Sequence, residues 1–130
     1  MNIADIRKLI ADGLIAAGID DVTIVDPGVP GVPPPYVRLD PDDDELGPGN
    51  RTLIHGLQIV IGVPRTGQAD QYVRLQGSLY PAVLRSLFPS SISFDGPIRV
   101  DTIGGDGTGS PPTLVRIIPV TFPGDVDLCP

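Results

Sequence analysis

From Arg51 to Val63 apolar side chains recur at every second position: Leu53, Leu57, Ile59, Ile61 and Val63, with His55 in the same row. Side chains alternate across a strand, so this pattern predicts a long strand with one apolar face. The opposite face carries Thr52, Gln58 and Gly62 beside Ile54 and Val60, and Pro64 and Gly67 end the run. Two other segments have the helical period. Ile3, Ile6, Leu9, Ile10, Leu14 and Ala17 recur at three- and four-residue spacing, predicting a helix over 2–17. Asn2 suits its N-cap, Asp5 its first turn and Gly18 the residue after its end. Tyr72, Leu75, Leu79, Val83 and Leu87 form the stripe of a second helix over 68–88, with Arg74 and Arg85 turned away and a kink or a restart expected at Pro81.

Shorter strands are predicted at 22–25, 36–39 and 91–94. A hairpin pairs 98–103 with 113–122 across the glycine-rich segment 104–112. In its second strand Val115 and Ile117 share one face, while Leu114, Ile118 and Val120 share the other. Apolar residues on both faces predict that one face packs on the helices and the other meets a further subunit. The segments between are read as loops: a stiff proline-rich stretch at 27–35, an acidic turn region from Asp40 to Asn50, and a tail from Pro123. The order helix, three strands, helix, three strands predicts a single α+β domain over 1–130. Its sheet is mainly antiparallel, with both helices on one face.

Composition narrows the partners. The chain has 130 residues, enough for one core, and 16 Pro and 16 Gly gathered between the apolar runs. Its net charge of −7 lacks the basic surface that grips nucleic acid through phosphate contacts. An acidic surface instead suits a protein that DNA passes without adhering. Cys129 is the only cysteine, so no intrachain disulfide is available. The start of the chain does not have the layout of a signal peptide, and no apolar run approaches the ~20 residues that span a bilayer.

No catalytic constellation stands out. Asp40, Asp42 and Asp44 have the alternate spacing that opens an EF-hand loop. The position that needs glycine is Glu45, however, and the one that needs glutamate is Arg51. The stretch therefore reads as a solvated acidic loop, with no metal site. His55, the single histidine, reads as structural, since no acid or nucleophile stands beside it at motif spacing. The segment Gly104–Gly109 lacks the lysine and following helix of a phosphate-binding loop, and is expected to be a hairpin tip. The expectation is a binding protein, not an enzyme, with no cofactor. A small hydrolase would need a site assembled from distant carboxylates.

The succession as a whole resembles the tail terminator (head–tail joining) proteins of long-tailed phages with non-contractile tails. The features that carry it are the N-terminal helix followed by Val22–Val25, the strand Leu53–Val63 leading into the helix at 68–88, and the hairpin ending Leu114–Phe122. The resemblance implies a virion protein at the head-proximal end of the tail, made in the host cytoplasm. It implies a homohexameric ring that ends tube polymerisation and touches the tail-tube protein on one side and the head connector or stopper on the other. Genome DNA would cross the lumen without sequence-specific binding, and no membrane would be involved. In such a ring Asp42, Asp43, Asp44, Glu45, Arg38, Arg51, Arg65 and Arg116 are expected at interfaces or the lumen. A head-side neck protein or a tube subunit is the alternative placement.

Overall fold

A computed structural model describes residues 1–64, 73–88, 90–103 and 112–128. Helix α1 spans Ile3–Ala16. The Asn2 side chain accepts a hydrogen bond from the Asp5 amide at 3.0 Å, and Asp5 accepts from the Asn2 amide at 2.9 Å. This reciprocal pair satisfies two backbone donors that a helix start leaves open. Gly18, at φ 74°, follows the helix end as the sequence predicts. Strands β1 (Thr23–Val25), β2 (Tyr36–Leu46) and β3 (Thr52–Pro64) come next, then helix α2 (Tyr80–Leu87), and finally β4 (Ser93–Phe94), β5 (Arg99–Ile103) and β6 (Thr113–Asp127).

One π-helical turn, Leu75–Leu79, leads into α2, and the Tyr80 amide reaches back to the Leu75 carbonyl. Proline lacks an amide hydrogen, and its ring crowds the carbonyl four residues earlier. The widened turn stands directly before Pro81, and the α-helix starts afresh at Tyr80. Leu75, Leu79, Val83 and Leu87 are all fully buried. The first part of the expected helix, with Tyr72, lies outside the described residues, as do Arg65, the tip Gly104–Gly109 and Cys129. The Arg74 guanidinium bonds the Asp21 carboxylate, tying the start of the π-helical turn to the loop after α1.

The fold is α+β. Six strands form one mostly antiparallel sheet in the order β1-β2-β3-β6-β4, with β5 also on β6. β1 and β2 run parallel, and the other pairs are antiparallel. β6 organises the sheet. One of its edges pairs with β3 from Pro64↔Thr113 to Thr52↔Asp127. Its other edge takes β5 at Thr113–Ile117 and β4 at Val120 and Thr121.

Both helices lie on one face. Ile6, Ile10 and Leu14 of α1 and the α2 stripe meet Val37, Leu39, Leu57, Ile59, Ile61, Ile118, Val120 and Phe122. A fully buried Leu or Ile contributes about 1.5–3 kcal/mol over its exposed state, so this layer holds most of the driving force for folding. The second face has a smaller cluster of Val25, Tyr36, Val60 and Val115, with Val32 and Ile117 packed against it.

Two expectations need correction. The acidic stretch from Asp40 is strand, not turn: β2 continues to Leu46, paired with β3 as far as Leu46↔Leu53. Aspartate disfavours strands on average. Here, though, β3 supplies the backbone partners, and the carboxylates stay in solvent. Residues beyond Pro123 are not a loose tail, because β6 runs on to Asp127 against Thr52. In the proline-rich loop, Val32 covers the second-face cluster within the same chain. The apolar residues on that face therefore have an intramolecular cover and do not by themselves call for another subunit.

Candidate interaction surface

The most distinctive surface follows from the corrected length of β2. Its residues 41–46 are all exposed. They pair with the first part of β3, which in turn pairs with the last part of β6. The three strands thus extend past the helix-covered core as an arm. The Leu128 amide donates to the Arg51 carbonyl at 2.7 Å and closes its end. Leu46, Val126 and Leu128 are exposed there at 54%, 64% and 45%. β1 pairs only with Tyr36–Arg38, so among the described residues no strand covers the outer edge of β2 from Leu39 onward.

The arm is shaped by a bulge. Asp42 pairs with Gly56 and Glu45 with Ile54, so Asp43 and Asp44 together face His55. Gly56 is required at this point. A Cβ there would stand 2.2 Å from the Asp43 carbonyl oxygen, so only glycine lets the bulged backbone come so close. Its amide donates to Asp44 Oδ1 at 3.2 Å, and the Asp43 amide donates to Asp42 Oδ1 at 2.8 Å. Crowding several carboxylates in one strand is unfavourable, and these bonds give Asp42 and Asp44 local partners.

His55 acquires a partner that its sequence neighbours do not suggest. Its Nδ1 lies 3.3 Å from Asp44 Oδ1, and its ring packs on Phe122 with centroids 5.3 Å apart. A cleft of about 500 Å³ opens beside them, between the start of α1 at Ile3 and the strand residues Pro41 and Asp44. The Asp44–His55 pair was legible only if the acidic run were read as a strand folding back on β3. Among the described residues no group of three or more His, Cys, Asp or Glu is placed to hold a metal ion.

The residues expected at one surface fall in three places. Asp42, Asp43, Asp44, Glu45 and Arg51 belong to the arm. Arg38 lies on the second sheet face, where its Nε bonds both Asp40 oxygens at 3.0 and 2.9 Å. Its guanidinium stands 5.6 Å from the centre of the Tyr36 ring. Burial pushes the Tyr36 hydroxyl pKa above its ordinary value, a shift that the Arg38 charge opposes. Arg116 lies on the helix-covered face near the far edge of the sheet, 5.6 Å from the centre of the Tyr80 ring. Arg65 falls outside the described residues. No helix among the described residues is long and apolar enough to cross a membrane. No protein-family model matches this chain, and no curated protein is significantly similar to it.

Proposed function

We propose that this chain is the subunit of a tail-terminator ring. Six copies would cap the head-proximal end of a phage tail tube, end its polymerisation and join it to the head connector. The single observation that carries this reading is the arm. A small domain that sends three paired strands past its own core, and leaves Leu46, Val126 and Leu128 exposed at the end, offers a surface to another molecule. A closed ring needs such a surface, because each subunit must reach a different patch on its neighbour.

The charge of the arm supports the same reading. Asp42, Asp43, Asp44, Glu45 and Asp125 crowd one end of a chain whose net charge is −7. Facing a lumen, they would keep DNA from adhering during its passage. Deleting the gene is the direct test. Heads should still fill, while tails should be unjoined and irregular in length, since an uncapped tube end keeps adding subunits. Joined tails of normal length in the deletion would refute the assignment. Labelling the protein in virions separates a terminator at the tube end from a neck protein or a subunit distributed along the tube.

A further inference from the structure

At the edge of the sheet opposite the arm, exposed apolar groups gather beside one half-buried cation. Tyr80, Leu84 and Phe88 succeed one another at four-residue spacing along the flank of α2. Phe88 is 71% exposed and Phe94 of β4 is 39% exposed, and their rings pack together with centroids 5.7 Å apart. Phe94 pairs with Val120 and Val100 pairs with Arg116, so all of them share the helix-covered side of the sheet. Val100 is itself 54% exposed. Arg116 lies beneath Tyr80 with its Nε buried, and no acceptor meets it among the described residues.

Two exposed phenylalanine rings tilted against each other, beside a half-buried arginine that no carboxylate pairs among the described residues, are half of an interface. Its missing half is a carboxylate accompanied by an apolar side chain. The arm carries that combination: no hydrogen bond or ion pair engages the Asp43 and Glu45 side chains among the described residues, and Leu46 beside them is exposed. The two patches lie at opposite edges of one sheet, β2 on one side and β4 with β5 on the other. Patches that differ and complement each other across a subunit give a head-to-tail contact, which closes into a ring or grows into a filament.

We infer that the Phe88–Phe94–Arg116 edge is the socket for the arm of a second copy of this chain. An acidic group from Asp43 or Glu45 meets the Arg116 guanidinium, and Leu46 covers the phenylalanine pair. The inference rests on the ring reading and names the contact that builds the ring.

Three variants and a crosslinker test it. Phe88→Ser changes an exposed side chain and should fold normally, yet weaken self-association roughly tenfold or more. The arm variant D43K/E45K should do the same, as should Arg116→Glu. Mixing D43K/E45K with Arg116→Glu should restore assembly, because alternating copies again place opposite charges at every contact. Native mass spectrometry should then show closed species with even subunit numbers only. If Arg116→Glu fails to fold, the first two variants decide. A photo-crosslinking phenylalanine analogue at position 88 should give adducts with residues 42–46 of another copy, in solution or in tails. Wild-type self-association that Phe88→Ser and D43K/E45K leave unchanged would overturn the socket while leaving the ring standing. A crosslink only to other proteins, or no self-crosslink in either setting, would overturn it as well. Self-crosslinking through the arm by a protein absent from tails would keep the socket and remove the terminator assignment.

Discussion

The two faces of the sheet are built from the same alternating strands and are sealed in different ways. On one face α1 and α2 press two apolar stripes onto the middle of β2, β3 and β6. On the other, one half-buried valine of the proline-rich loop and the ring of Tyr36 do the covering. Tyr36 lies directly over Gly62, its cross-strand partner, where a Cβ would come within 2.6 Å of the ring. The helix face is thick and carries the stability of the domain. The second face is thin, and along β2 it turns from apolar at Tyr36 to charged at Arg38, Asp40 and Asp42. A sheet that uses most of its apolar area on one side can extend the same strands into solvent as an arm without losing its core.

The largest expected effect lies on the helix face. Leu79→Asp places an unpaired charge between α2 and the sheet at a fully buried position. It should cost at least about 4 kcal/mol, a large share of the 5–15 kcal/mol typical of a domain. Circular dichroism and chemical denaturation should find little cooperatively folded protein; a soluble, cooperative mutant would place Leu79 on the wrong face.

Gly56→Val comes next and bears on the arm. Its Cβ would collide with the Asp43 carbonyl at 2.2 Å, so the bulge must open at a cost of about 2 kcal/mol. The core should survive. Amide hydrogen exchange should speed up around Asp43 and His55 before it does so in α1 or α2. Uniform protection would show that the bulge is not a separate structural feature.

Val32→Ser sharpens the contrast between the faces. Val32 is half-buried over the second cluster, and its loss should cost about 1 kcal/mol, well below any truncation in the α2 stripe. Equal costs by thermal unfolding would mean that the two faces contribute alike.

The smallest effect belongs to the surface pair Arg74–Asp21. The hydrogen bond from Arg74 lowers the Asp21 pKa below its ordinary 3.8, against the opposing effect of burial. A depressed folded value means that the stabilisation is complete above the unfolded pKa and disappears as pH falls through the folded one. The Asp21 side chain is 57% exposed, so solvent screens the pair, and Asp21→Asn should cost about 0.5 kcal/mol or less. Urea unfolding at neutral pH should show this difference, and it should vanish at a pH below the folded pKa or in high salt. A difference that persists there would assign the effect to something other than charge.

Much of the frame was legible from local pattern. The heptad-like stripes of both helices and the period-two alternation of β3 and β6 repeat over enough residues to identify both the element and its inward face. Leu75, Leu79, Val83 and Leu87 are buried as their spacing requires, and Val115 and Ile117 part from Ile118 and Val120 onto opposite faces. Asn2 and Gly18 mark the ends of α1 because capping depends on the few residues beside it. What was misread depends on distant chain. Nothing in Asp40–Leu46 favours a strand by itself; β3 makes it one by offering a ladder of backbone partners. The same pairing brings Asp44 to His55, and the register with Thr52 carries β6 past Pro123.

The sequence by itself therefore determined the two helices, the strand β3 and the first part of β6, which of their faces are apolar, and that the chain is acidic. All of these follow from steric periodicity and composition within short windows. The tertiary structure alone decided that Val32 closes the second face and that the acidic run joins an arm. It alone set Phe88, Phe94 and Arg116 at the opposite edge of the sheet from that arm. Those outcomes depend on hydrogen bonding and packing between residues far apart in the chain, where a local preference of a few tenths of a kcal/mol is outweighed by a whole strand of backbone partners.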